Sequence, residues 1–275
     1  MPHLVRVCVI VLALVAASFL PFVPVGYDPL ARPVAGMAWV LGRAGLLLVP
    51  IGALWLWAFT RYAPGSRPLA WVARVTLGAS VLVSLVMILA AMAFSGPLLS
   101  LGTAVIAGLI AVGLSRRLRV GLLIPRVAAA AMIVAPIVVL GAQSVLTAPI
   151  TSWGRDRVIA NAAPLIAEIE RYHARHGAYP VSLFSLYGDY KPAIMGVQRY
   201  YYEPSADAYN VIFEEPALGI GRRFVAYNPR DKQRITVHET DRLLLDEAGL
   251  DADNAGYTIV QPLPPPHWKL FTFRS

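Results

Sequence analysis

Cysteine is almost absent from this sequence: Cys8 is the only one among 275 residues. A disulfide within the chain is therefore impossible, and the second half of the chain offers no thiolate to a metal ion. Glycine-rich phosphate-binding sequences and nucleophile-elbow sequences are missing as well. These absences exclude several common catalytic designs, and we expect a protein that is not an enzyme.

Acidic residues are nearly missing from the first half of the chain. Residues 1–148 contain only Asp28 against ten arginines, which gives a net charge of +9. Residues 149–275 contain 14 basic and 15 acidic residues and are close to neutral. The arginines of the first half lie between apolar stretches, where positive charge orients membrane proteins, so we do not expect nucleic-acid binding.

Charged residues of either sign make up 15% of the chain, against about 25% in soluble domains. Long apolar stretches take their place, and about 20 such residues are enough for a helix to cross a bilayer. We predict five spans: Leu4–Val23, Ala38–Phe59, Val75–Phe94, Leu98–Leu114 and Val127–Leu146. The expected architecture is a membrane helical bundle in residues 1–148, followed by a separate domain in residues 149–275.

The arginines also predict the orientation, because positive residues are concentrated on the cytoplasmic side of membrane proteins. A cytoplasmic N-terminus places eight of them inside, and leaves outside only Arg32, balanced by Asp28. These eight are Arg6, Arg61, Arg67, Arg74, Arg116, Arg117, Arg119 and Arg126. We therefore predict a multi-pass protein of the bacterial inner membrane with a periplasmic C-terminal domain.

Two features of the predicted spans leave alternatives open. Leu4–Val23 also fits a signal peptide with a possible cleavage site after Val15-Ala16-Ala17, although its apolar run continues through Phe22 and so favours a retained helix. Arg43 interrupts the second span, and an intramembrane charge is a candidate functional residue. A position near the outer boundary, with the guanidinium reaching the headgroups, is the favoured explanation, because no other predicted span carries an acidic partner for Arg43.

The C-terminal domain is predicted to begin after a helix break at Pro149 and Gly154. An amphipathic helix, Arg155–His176, then ends at Gly177. Alternating apolar residues predict the strands Arg199–Glu203, Tyr209–Glu214, Arg223–Tyr227, Arg234–His238, Tyr257–Gln261 and Trp268–Phe273, with a short helix over Thr240–Ala248. One helix on a small antiparallel sheet is an α+β fold.

The segment after this helix carries a specific sequence pattern: Tyr172, Gly177, Tyr179-Pro180, Ser182-Leu183 and Leu186. Over about residues 155–190 it resembles the head domain of type IV pilin-like proteins, most closely the major pseudopilins of type II secretion. The resemblance implies that the two leucines pack back onto the helix. The predicted span before residue 155, Val127–Leu146, is internal and carries no acid, unlike the N-terminal helix of a processed pilin. The resemblance therefore extends to the fold and not to assembly into a pilus.

Two groups of side chains are candidate metal ligands. Glu168, Glu170, His173 and His176 cluster near the end of the predicted helix, where solvated residues in a last turn are the better account. Asp251, Asp253 and Asn254 precede Gly256 and resemble the start of a calcium-binding loop, as the pseudopilin resemblance also implies. A solvated acidic turn is the competing interpretation of this second group.

The sequence favours a non-enzymatic envelope protein that lies in the lipid bilayer and binds or scaffolds another envelope protein. No cofactor is expected apart from calcium in the acidic turn. Two alternatives are a transporter or channel-like bundle with an accessory domain, and an envelope hydrolase or metal-dependent enzyme. The tyrosine run Tyr200–Tyr202 is predicted to alternate between core and surface of a strand rather than to form a binding platform.

Overall fold

The computed structural model describes residues 2–62, 66–86, 88–89, 112, 126–186, 188–205, 207–216, 222–233, 235 and 258–273. The chain forms two compact units. The helical unit consists of residues 1–20 and 30–149, and the head consists of residues 21–29 and 150–275.

Five helices are described, and they are numbered in chain order. They are α1 (Pro2–Ser18), α2 (Ala31–Ala44), α3 (Leu48–Arg61), α4 (Arg67–Val86) and α5 (Arg126–His176). A short 3-10 turn, Gly45–Leu47, joins α2 to α3, so that these two form one apolar segment of 31 residues.

Among the described residues, three helical segments are long and apolar enough to cross a membrane: Ala31–Arg61, Arg67–Val86 and Arg126–His176. The predicted second, third and fifth spans fall within or overlap them, and the structure confirms that these regions are membrane-type helices. The apolar part of α1, Leu4–Ser18, is shorter. The predicted fourth span, Leu98–Leu114, lies outside the described residues apart from Val112, so a total of five spans stays a prediction.

Small residues bring the helices of this unit into close contact, as is common in membrane bundles. A Cβ on Gly52 of α3 would lie 2.6 Å from the Ala129 carbonyl oxygen of α5. Further along α5, the buried Gln143 amide donates to Ser18 Oγ at 2.8 Å and to the Ala38 carbonyl at 3.2 Å. One amide thus links α1, α2 and α5.

Gly52→Ala is expected to destabilise the helical unit by roughly 2 kcal/mol, because the new methyl group meets backbone rather than a movable side chain. Gly141→Ala is the matched control, since a Cβ at Gly141 in α5 has no neighbour within 4 Å. Both changes gain the same helix propensity. Thermal unfolding in detergent should separate them, and equal melting temperatures would contradict the close packing of α3 on α5.

The predicted break between the last span and the head helix is wrong. Helix α5 runs without interruption for 51 residues, through both Pro149 and Gly154. A proline within a membrane-type helix removes one backbone hydrogen bond, which its neighbours can compensate. Gly154 serves another purpose, because a Cβ there would lie 2.7 Å from Phe22 Cδ1. Its small size admits the Phe22 ring against the helix.

The head contains a five-stranded antiparallel sheet in the order β1-β2-β3-β5-β4. Its strands are β1 (Tyr201–Pro204), β2 (Tyr209–Glu215), β3 (Arg223–Tyr227), β4 (Thr258–Leu263) and β5 (Trp268–Phe273). The predicted pattern is thereby confirmed for five strands, within a few residues at their ends. Most of the predicted strand Arg234–His238 and all of the helix Thr240–Ala248 lie outside the described residues.

The head part of α5 packs on one face of this sheet, as the α+β prediction required. Its apolar stripe, which includes Val158, Leu165 and Ile169, shares one core with strand residues such as Val211 and Phe213. The opposite face carries a second apolar cluster, built from Ile212, Phe224, Ala226, Ile235, Phe271 and Phe273. Both faces of the sheet are therefore hydrophobic.

The loop between α1 and α2 belongs to the head, whereas the predicted boundaries assigned it to the helical part. Its backbone pairs with a turn before β1: Gly196 N–H donates to the Pro21 carbonyl at 2.7 Å, and Met195 N–H to the Val23 carbonyl at 3.0 Å. Asp28 N–H in turn donates to the Met195 carbonyl. We call residues 21–29 the first loop. Through these backbone hydrogen bonds it forms an additional segment of the head.

Candidate functional site

Four tyrosines cluster beside one carboxylate near the C-terminal end of α5. We call this group the tyrosine–glutamate site; it consists of Glu170, Tyr179, Tyr202, Tyr209 and Tyr227. The Tyr209 hydroxyl donates to Glu170 Oε1 at 2.8 Å. The ring centroids of Tyr179, Tyr202 and Tyr227 lie 5.0, 5.9 and 5.9 Å from that of Tyr209.

The sheet register places three of these rings together. Tyr202 of β1 and Tyr227 of β3 both lie opposite Val211 of β2, one on each side. Tyr209 precedes Val211 by two residues and therefore points to the same face. That face is the one covered by α5, which supplies Glu170 from its second-last turn. The alternation of a β-strand thus gathers the tyrosines under the helix.

The turn that ends α5 positions the fourth ring, that of Tyr179. Gly177 adopts a left-handed conformation with φ of +73°, and its N–H donates to the His173 carbonyl at 2.8 Å. This confirms the predicted end of the helix. The chain turns back there, so Tyr179 stacks on the His173 ring with a centroid distance of 4.1 Å.

Burial raises the pKa of all four phenols, and the negative charge of Glu170 adds to the rise at each. The hydroxyls therefore stay protonated at physiological pH and act as hydrogen-bond donors. In the part of the chain that the structure describes, no basic side chain forms an ion pair with Glu170. The site therefore presents a half-buried carboxylate beside aromatic rings.

The loop after α5 is fixed to the head but exposes two large apolar side chains. We call residues 178–186 the tip loop. Pro180 is buried and its carbonyl accepts from the Tyr202 hydroxyl at 2.9 Å, while Leu183 and Leu186 pack into the core beside the helix. Val181 is nevertheless 85% exposed and Phe184 is fully exposed. The return of the two leucines is the packing that the sequence pattern predicted.

A buried ion cluster lies elsewhere in the head. Glu215 of β2 is 1% exposed, and Arg155 Nη1 of α5 lies 3.4 Å from its Oε1. Arg223 Nε of β3 lies 3.0 Å from its Oε2. Burial raises the pKa of the Glu215 carboxyl, although Arg223 and Arg155 oppose the rise. The cluster links α5 to strands β2 and β3.

The candidate metal ligands are not assembled into a site in the described residues. His176 stacks on Tyr172, with its Nδ1 2.9 Å from the Tyr172 carbonyl oxygen, and His173 stacks on Tyr179. Glu168 pairs with Arg171. Across the described ranges, no three histidine, cysteine or carboxylate side chains come together as a metal site would need. Asp251, Asp253 and Asn254 lie outside those ranges, so the calcium loop stays a prediction.

Two other features that the sequence singled out, Arg43 and the tyrosine run, also lie in the described residues. Arg43 is exposed, and its guanidinium carbon lies 4.6 Å from the centre of the Trp39 ring, one helical turn earlier. The tyrosine run alternates as predicted: Tyr200 and Tyr202 contribute to the core under the helix, and Tyr201 packs on the opposite face. Sequence reasoning missed the tyrosine–glutamate site. Its only signal was the density of tyrosine in the strands.

Comparison with known proteins found no match: neither a family model, nor a curated protein, nor a solved structure is similar to the chain. The functional argument therefore rests on the chemistry of the residues described above.

Proposed function

We propose that this chain is a multi-pass protein of the bacterial inner membrane whose periplasmic, pilin-like head binds another envelope protein and has a scaffolding rather than a catalytic role. The observation that carries the proposal is the tip loop. The Phe184 side chain is fully exposed and the Val181 side chain is 85% exposed, although Pro180 and two leucines hold this loop against the core.

Exposed apolar side chains on a fixed loop are well suited to binding. Removing apolar surface from water yields roughly 25 cal/mol per Å², and an aromatic side chain buries 150–250 Å². A loop that is already ordered loses little conformational entropy when a partner covers it. Aromatic side chains at the centre of an interface are accordingly frequent binding hot spots.

The arginine distribution supports the cytoplasmic N-terminus. Arg61 ends α3 and Arg67 begins α4, so both flank the short connection assigned to the cytoplasm. Arg43 precedes Arg61 by 18 residues, which corresponds to about 27 Å along a helix and nearly the thickness of the hydrocarbon core. Arg43 and Trp39 then lie at the outer boundary, where aromatic and basic side chains anchor helices.

A retained first helix is part of the same proposal. Ser18, at the end of α1, is fully buried and accepts a hydrogen bond from Gln143. Cleavage after Ala17 would place a charged amino terminus in this apolar setting, which is costly. The burial of Ser18 therefore supports a permanent anchor rather than a signal peptide.

Phe184→Ser is expected to weaken binding to the envelope partner at least tenfold, since hot-spot residues contribute 2 kcal/mol or more. The measurement is quantitative co-purification of the full-length protein from cross-linked membranes, with the partner identified by mass spectrometry. Val260→Ser is the matched control, because Val260 on β4 is apolar and 45% exposed but lies in another part of the head. Equal recovery of the partner with both variants, or no defined partner with the wild type, would overturn the proposal.

A further inference from the structure

We propose that the tyrosine–glutamate site recognises a basic side chain, lysine or arginine, of the protein that the head binds. This inference rests on the proposed function and specifies the chemistry of the partner. The partner would place a cation against Glu170 and the exposed ring surfaces of the neighbouring tyrosines, and an apolar surface against the tip loop.

The first argument is the charge of Glu170. Its carboxylate is half-buried and accepts one hydrogen bond from Tyr209, and no described cation neutralises it. A carboxylate has about four acceptor positions, so most of its capacity is open. Two other glutamates of the head are paired with cations: Glu168 pairs with Arg171, and Glu215 lies between two arginines. Among the described residues of the head, Glu170 is thus a carboxylate with acceptor positions open to an external donor.

The second argument is the aromatic surround. A cation is attracted to the face of a tyrosine ring, by about 0.5–1 kcal/mol when exposed and about 2 when desolvated. Tyr179, Tyr202 and Tyr227 are each partly exposed, while Tyr209 beneath them is buried. Their hydroxyls stay neutral, since burial and the Glu170 charge raise the pKa of each. The ring faces and the Glu170 charge therefore favour a cation and disfavour a second carboxylate.

The third argument is the continuity of the site with the tip loop. Tyr179 belongs to the site, and Phe184 follows it by five residues, so their Cα atoms are at most about 17 Å apart. A standard protein interface covers about 800 Å² on each partner, which is wide enough to include both. A single partner surface can therefore contact the carboxylate and the exposed phenylalanine together.

The test uses full-length protein in detergent, labelled with 3-fluorotyrosine, and three small probes. These are the methylamides of N-acetyl-arginine, N-acetyl-lysine and N-acetyl-citrulline, the last being an uncharged analogue of arginine. Fluorine NMR should show saturable shifts with the two cationic probes, at millimolar Kd, and none with citrulline. Shifts of equal size and saturation with citrulline, or no saturable shift with either cation, would overturn the inference.

Variants separate recognition from a merely structural role of Glu170. Glu170→Gln keeps an acceptor for Tyr209 and is expected to weaken arginine-probe binding at least tenfold. Glu168→Gln, which removes a carboxylate already paired with Arg171 on the same helix, should leave the Kd within twofold. Tyr179→Leu, which does not touch the Glu170–Tyr209 bond, should weaken the probe about threefold. Equal effects of the two glutamine variants would contradict the site.

Failure of this inference is distinguishable from failure of the proposed function. The probe measurement needs no partner, and Phe184→Ser should leave probe binding unchanged while it weakens partner binding at least tenfold. Phe184-dependent recovery of a partner without probe binding would overturn the cation site alone. Probe binding without any defined partner would overturn the scaffolding role alone.

Discussion

Gly196→Ala is expected to lower the free energy of unfolding of the head by about 3 kcal/mol. A Cβ at Gly196 would lie 2.5 Å from Pro21 Cβ, 2.8 Å from the Pro21 carbonyl oxygen and 2.9 Å from Pro216 Cγ. Two proline rings and a backbone oxygen have no rotamer that relieves such contacts. Overpacking of this kind costs about 1–3 kcal/mol.

The same methyl group also displaces the first loop from the turn before β1. The hydrogen bonds from Gly196 to Pro21 and from Met195 to Val23 are then weakened, and each contributes about 0.5–1.5 kcal/mol. Hydrogen-exchange mass spectrometry of the full-length protein should show faster exchange in residues 191–200, together with a melting temperature lower by roughly 10 °C.

Gly26→Ala is the matched control for this prediction. Gly26 lies in the same first loop, and a Cβ there has no neighbour within 4 Å. The control is expected to leave the melting temperature within about 2 °C, since an exposed glycine-to-alanine change has only a small effect on the chain entropy. If the two variants melt alike, the close contact of the first loop with Gly196 is contradicted.

Glu215→Leu is the second substitution with a large expected effect, a loss of about 3 kcal/mol of head stability. Leucine removes the acceptor oxygens that face Arg155 and Arg223, and a buried ion cluster whose remaining members are left unsatisfied loses about 3–5 kcal/mol. We expect the lower end, because the Arg155 and Arg223 side chains are 15% and 30% exposed and partly regain water. Chemical denaturation followed by tryptophan fluorescence measures the change.

Two neighbouring variants sharpen this prediction. Glu214→Leu removes the adjacent carboxylate, which is more exposed and lies 3.6 Å from Arg222; its loss should cost less than 1 kcal/mol. Glu215→Gln keeps the shape and an acceptor for the arginines without a charge to desolvate, and should cost about 1 kcal/mol or less. A glutamine variant as unstable as the leucine variant would contradict a loss caused by the missing acceptors, because both variants remove the charge.

The pH dependence of the wild-type head follows from the same group. The pKa of Glu215 is raised in the folded state, so folding takes up a proton between the unfolded pKa, about 4.3, and the folded pKa. The contribution of Glu215 to stability is fully present below the unfolded pKa and is lost as the pH rises through the folded pKa. Glu215→Gln should remove this component from a plot of unfolding free energy against pH.

Local patterns were sufficient to predict much of the fold. The stripe of Leu165 and Ile169, the stop at Gly177 and the alternation in β2, β3 and β5 are encoded within a few neighbouring residues. The same holds for the apolar segments of the helical unit. Each of these features depends on burial periods of 3.6 or 2 residues, which a single sequence displays directly.

The features that sequence reasoning missed depend on partners far away in the chain. Pro149 and Gly154 carry the signature of a helix break, but the size of Gly154 is required by Phe22. Glu170 looked like a solvated residue on an outer face of the helix, and only the pairing of β1, β2 and β3 brings tyrosines to it. Contacts between residues so far apart in the chain produce no periodic pattern in the sequence.

The first loop makes the head a discontinuous folding unit, and this sets an order of events during synthesis. Residues 21–29 leave the ribosome more than 120 residues before Ile150 begins the rest of the head. At about 5–20 residues per second, the loop waits many seconds for Met195 and Gly196, its pairing partners. A soluble fragment that starts at residue 150 omits part of its own fold, and an expression design that fuses residues 21–29 to it would restore the missing contacts.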